Sequence, residues 1–169
     1  LLLVILMPLV GAGITWLLSS RGHQSVRQSA ATTAVLTLIA AGWLILRYLA
    51  STEAVSNQAF AVLSVPWLTG GMFDIRLSIG LDGLSLWLFG LSALLSVTAI
   101  FVSWEAVTER AVGFYMLLLL LEAAMLGVFV ARDIILFYVF FEFTLVPLFF
   151  LIGIWAVSYT HLTLPTSSQ

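Results

Sequence analysis

Two carboxylates, Glu122 and Glu142, stand in the middle of long apolar runs, ten residues before and ten residues after Arg132. An ionisable side chain at the centre of a membrane helix costs about 2.5–3.5 kcal/mol on insertion scales, so residues of this kind mark ion and proton pathways. Glu142 lies in IILFYVFFEFTLVPLFFLIGIW, where Thr144 is the polar neighbour. Pro147, five residues further on, lacks an N–H and leaves the carbonyl of Phe143 without its intrahelical bond. A titratable group, a local break in backbone pairing and a hydrophobic surround are what a proton carrier needs. One carboxylate alone makes a binding site; a partner that moves or titrates makes it a pump.

Hydropathy sets the elements that position these residues. The 169-residue chain is 62% hydrophobic and 8% charged, against about 25% charged residues in a soluble domain. Mean hydropathy is +1.17. Five runs reach the ~20 residues that cross a bilayer, at 1–18, 30–50, 84–104, 112–130 and 134–155. The expected fold is therefore an all-α membrane protein of about five transmembrane helices. Only Ala131-Arg132-Asp133 separates the last two, which must form a tight antiparallel hairpin. At ~1.5 Å per residue, Glu122 and Glu142 then lie about 15 Å from the turn and at one depth. Whether they face one another depends on helix rotation. Glu122 has a second reading, a hydrogen-bonded contact to a neighbouring helix, because Ala123, Ala124 and Gly127 suit close helix packing.

The connections carry the remaining signals. SSRGHQSVRQS holds Arg21 and Arg27 and ends on Ser29, a candidate cap for the second span. The long connection, 51–82, contains strand-like segments at 60–65 and 73–79 with Thr69-Gly70-Gly71 between them, which predicts a small β-hairpin on one membrane surface. Asp82, in GLDGLSLWLF, is placed to cap the third span. Arg132-Asp133 reads as a turn with a local ion pair, and Arg47 as a side chain that snorkels to the interface. The positive-inside rule leans towards a cytoplasmic side bearing Arg21, Arg27 and Arg110, which leaves the hairpin outside. Six scattered Arg, no Lys and a net charge of −2 give no basic patch for nucleic acid. With no Cys, thiol catalysis and Cys-ligated clusters are excluded, and His23 and His161 suggest no metal site.

GFYMLLLLLEAAMLGVFVARDIILFYVFFEFTLVPLFFLIGIW and, independently, GLDGLSLWLF resemble the antiporter-like subunits of respiratory complex I, nearest to the subunit M or chain 4 family of NADH-quinone oxidoreductase. The likeness extends over about residues 1–155 and is strongest from Pro66. It implies a truncated antiporter-like fold: leader helices in 1–110, with the 51–82 hairpin, and the start of the proton-translocating repeat in 111–155. It also implies that Glu142 is the proton carrier and pairs with a lysine on a later, broken helix; the residues themselves offer Glu122 as an auxiliary proton site. Cofactors are expected to be absent from this chain, with NADH, FMN, iron–sulfur clusters and quinone held by sister subunits. Expected partners are the other membrane-arm subunits, the lipid bilayer and protons, and the expected location is a bacterial inner (plasma) membrane. The start without Met reads as an N-terminal fragment, and the polar tail 156–169 as non-native sequence. Rival readings are a subunit of a multisubunit cation/proton antiporter or membrane-bound hydrogenase, and a membrane scaffold that moves no ions.

Overall fold

The computed structural model describes residues 1–51, 59–70, 73–107 and 109–156. Five helices are long and apolar enough to cross a membrane. They are α1 (Leu2–Leu17), α2 (His23–Leu49), α3 (Gly83–Ala106), α4 (Ala111–Val130) and α5 (Ile134–Leu151). A short 3-10 turn, Leu18–Arg21, leads into α2, and a π turn, Ile152–Ala156, follows α5. Between α2 and α3 lie β1 (Phe60–Gly70) and β2 (Phe73–Leu81), an antiparallel pair. The composition expectation of five spans and one hairpin is met.

Several boundaries differ from the hydropathy reading. α2 starts at His23, and Ser29 is inside it rather than at its cap. The Ser29 hydroxyl donates to the Val26 carbonyl and lies 3.1 Å from the Thr15 hydroxyl of α1, so a polar stretch is helical because α1 packs on it. Thr69 and Gly70 belong to the β ladder, opposite Asp74 and Phe73, rather than to the turn. Gly71, the other residue assigned to the turn, lies outside the described residues, as does the tail from 157 onward. Asp82 caps α3 as expected: its side chain accepts the Ser85 N–H at 2.7 Å, and the Ser85 hydroxyl accepts the Asp82 N–H at 2.9 Å.

α4 is the centre of the structure. It packs against α1, α2, α3 and α5, and nine of its residues are buried. Two apolar clusters divide the bundle along its length. One, towards the hairpin, joins Val4 and Ile5 of α1, Tyr48 of α2, Leu81 of β2 and Leu86 and Phe89 of α3 to Leu126 and Val130 of α4. The other joins Ala12, Val26, Ala30 and Ile100 to Ala111, Tyr115 and Leu119. α5 stands apart from this arrangement, with Pro147 as its one buried residue. Among the described residues its lateral helix partner is α4.

The connections sort onto two sides, as up-and-down helices require. On one side Arg27 Nη2 donates to the Val107 carbonyl at 2.8 Å, which ties the start of α2 to the α3–α4 connection. On that side Trp155 Nε1 also donates to the Glu109 carbonyl at 3.2 Å. On the other side the Arg132 N–H donates to the Ser78 carbonyl at 2.9 Å, so the β-hairpin and the α4–α5 turn share a membrane face.

Candidate functional site

Glu122 occupies the junction between the two apolar clusters, between Leu119 and Leu126 on α4. It is 1% exposed. Neither of its carboxyl oxygens has a hydrogen-bond partner among the described residues. The expectation of a hydrogen-bonded contact to a neighbouring helix is therefore not met. Hydroxyls on the adjacent helices bond within their own helices: buried Thr37 donates to the Thr33 carbonyl at 3.0 Å and half-buried Ser96 to that of Ser92 at 3.1 Å. A buried carboxyl without a hydrogen-bond partner is expensive, and among the described residues nothing offsets that cost.

Glu142 is at the same height but in a different environment. Its place on α5 mirrors that of Glu122 on α4, each eight residues from the helix end next to the turn. The side chain, however, is exposed on the outer surface of α5. Tyr138, one turn earlier, is near enough for its phenol to interact with the Glu142 carboxylate. The i, i+4 spacing of Tyr138 and Glu142 carries that neighbour in the sequence, within an otherwise apolar pattern. Phe137 and Phe141 stack at 6.1 Å between centroids on the exposed part of the same helix. Phe140 turns the other way and packs its ring on Gly127 of α4. The aromatic residues around Glu142 thus divide between a helix contact and an open face.

The depth expectation for the two carboxylates holds, and their rotation is now resolved. Glu122 points into the α1–α4 cluster while Glu142 lies on the far side of the α4–α5 hairpin, so they do not form a pair. Pro147 is buried within α5, whose helix runs on through it, and Thr144 donates to the Phe141 carbonyl at 2.6 Å. A cleft of about 300 Å³ between α4 and α5, lined by Leu121, Met125, Val128, Phe129, Phe141 and Thr144, has no titratable lining group.

The charged residues at the ends take other roles than expected in one case. Asp133 makes no ion pair with Arg132; it caps α5 by accepting the Ile135 N–H at 2.8 Å and the Leu136 N–H at 3.4 Å. A carboxylate at a helix start is better satisfied by those N–H groups than by an exposed neighbouring cation. Arg47 is exposed, with its guanidinium carbon 5.0 Å from the Trp43 ring centre. Hydrogen bonds from Ser85 hold the Asp82 carboxyl below its usual range, with a smaller contribution from the charge of Arg132. Among the described residues no group of His, Cys, Asp and Glu could hold a metal ion.

A chain of the membrane-bound sulfane sulfur reductase, an archaeal respiratory membrane complex, superposes with a TM-score of 0.61 at 19% identity, over 90% of this chain and 22% of that one. The fold is that of a multi-pass membrane protein, shared with a chain of that complex. In sequence, the chain is 35% identical over 154 residues to the F(420)H(2) dehydrogenase subunit M of Methanosarcina mazei. It is 33% identical over 154 residues to the NADH-quinone oxidoreductase subunit M of Escherichia coli strain K12 and 31% over 155 residues to the NADH-ubiquinone oxidoreductase chain 4 of Chondrus crispus. These alignments cover 90%, 90% and 92% of this chain. Over these alignments the chain is similar to the subunit M or chain 4 proteins of NADH-quinone oxidoreductase. It spans about 30% of the length of those relatives. No family model matches the chain.

Proposed function

We propose that this chain is part of a proton-translocating membrane subunit of an NADH-quinone oxidoreductase, with Glu142 as the group that takes up and releases the proton. The observation that carries the reading is the position of Glu142: mid-helix on an open face of α5, beside a phenol, one residue before the carbonyl that Pro147 deprives of its partner. A carboxylate on such a surface is suited to meet a mobile charge on another helix, which the resemblance identifies as a lysine. Glu122, sealed between apolar clusters and unbonded, supports a second, auxiliary proton site that is separate from the first. Redox chemistry and its cofactors are assigned to sister subunits, and the site of action to a bacterial plasma membrane. The similarity to the named oxidoreductase subunits supports a place in a multisubunit membrane complex.

Glu142→Gln in the full-length subunit tests the proposal, because it keeps the shape and deletes the titration. The assembled complex is expected to lose most proton pumping and coupled quinone reduction. Normal pumping by an assembled mutant would end the carrier reading and favour a scaffold.

A further inference from the structure

The turn that joins α4 to α5 is held by its backbone to the β-hairpin. Beside the bond from the Arg132 N–H to the Ser78 carbonyl at 2.9 Å, Ala131 forms an antiparallel bridge with Ile79. The turn therefore acts as a minimal third strand on the free edge of β2. β2 is itself fixed in place: Ile79 and Leu81 are buried in the same cluster as Leu126 and Val130 of α4, and Asp82, directly after β2, caps α3.

Gly80 makes this approach possible. A Cβ at Gly80 would lie 2.9 Å from Arg132 Cδ and 3.2 Å from Val62 Cγ2, closer than carbon atoms pack without displacement. The aliphatic stem of Arg132 thus crosses β2 at a residue with no side chain, and its charge reaches Asp82. α5 begins two residues after Arg132, with Asp133 as its cap. Glu142 follows along a helix whose main helix neighbour among the described residues is α4, so the turn and the seating of Phe140 on Gly127 together set its height and rotation. A slip of one residue at the bridge would carry Glu142 about 1.5 Å along the axis and about 100° around it.

We infer that the contact of Gly80, Ser78 and Ile79 with Ala131 and Arg132 is a clamp that sets the height and rotation of α5, and that Gly80 and Arg132 are positioning residues for Glu142. The inference rests on Glu142 as the proton carrier, and its test separates the two. In the full-length subunit assembled in its complex, Glu142→Cys reports position through its alkylation rate with a small membrane-permeant maleimide. Leu36→Cys, on the exposed face of α2, serves as control.

Gly80→Val is expected to change the rate at position 142 by about threefold or more and to leave position 36 unaltered, while Gly80→Ala gives a smaller change. With Glu142 intact, Gly80→Val is expected to lower proton pumping in the assembled complex, since a misplacement of about 1 Å can cost up to about 100-fold in rate. Unchanged alkylation in both Gly80 variants overturns the clamp, and a shift in alkylation with undiminished pumping overturns the positioning role of Gly80 for Glu142. Where Gly80→Val prevents assembly, the single methyl of Gly80→Ala decides by the same two readouts. Normal pumping by Glu142→Gln, by contrast, removes the carrier reading and leaves the alkylation result standing as a statement about α5.

Discussion

Gly127→Ala is expected to force α4 and α5 apart. The Phe140 ring lies on Gly127, where an added Cβ would overlap two ring atoms and come within 2.6 Å of Cγ. Carbon atoms in contact sit about 3.5–4.0 Å apart, so the ring or the helix must move by about 1 Å. Overpacking of this kind costs about 1–3 kcal/mol. α4 is the main helix neighbour of α5 among the described residues, so the change falls on the contact that seats the helix. The displacement should therefore reach Glu142, which lies two residues beyond Phe140. Thermal inactivation rates of the solubilised complex, paired with proton uptake in proteoliposomes, give the assay. Phe140→Leu, which shrinks the partner, should restore part of both signals when combined with Gly127→Ala, with a coupling energy of about 0.5–3 kcal/mol. Effects that add to within about 0.3–0.5 kcal/mol, with proton uptake unchanged, would refute the reasoning.

Other perturbations separate packing from proton transfer. Glu122→Met removes a buried carboxyl that has no partner among the described residues, and should stabilise the subunit by about 1–3 kcal/mol while lowering pumping less than Glu142→Gln does. A fall in thermal stability of that variant would show that the carboxyl is held by contacts after all. Asp82→Ala should cost about 0.5–2 kcal/mol through loss of the cap, read as faster hydrogen exchange in the first turn of α3. The folded Asp82 carboxyl titrates below its ordinary 3.8, so its stabilisation is complete above that pH and fades as pH falls through the lower folded value. Asp82→Asn should keep most of the cap and lose this acid dependence; an unchanged acid profile would assign the dependence to another group.

Much of the fold was legible because lipid tolerates few alternatives to a long apolar helix. All five spans, the β-hairpin and the Asp82 cap could be read from composition, alternation and capping chemistry. The boundaries that escaped were those where tertiary contact overrides polarity. The polar start of α2 is helical against α1, and Asp133 turns to its own helix rather than to Arg132. At the candidate site the motif and the shared depth of the two carboxylates were readable. Hydropathy alone does not encode rotation when a helix is apolar all round, and the outward aim of Glu142 and the inward aim of Glu122 came from packing. Gly127 signalled close helix packing but not its partner Phe140, and the purpose of Gly80 shows only once its neighbours Arg132 and Val62 are known.

By itself, the sequence determined that this chain crosses a membrane, that two carboxylates sit at one depth with a proline near Glu142, and that its motifs resemble those of the subunit M proteins. Each follows from local chemistry: the cost of charge in hydrocarbon, the helical rise and the missing N–H of proline. Only the tertiary structure decided that the carboxylates stand in separate environments, that α4 rather than α5 is central, and that the β-hairpin grips the turn leading to Glu142. Those depend on which face of each helix meets a neighbour, a choice made by side-chain volumes from distant parts of the chain.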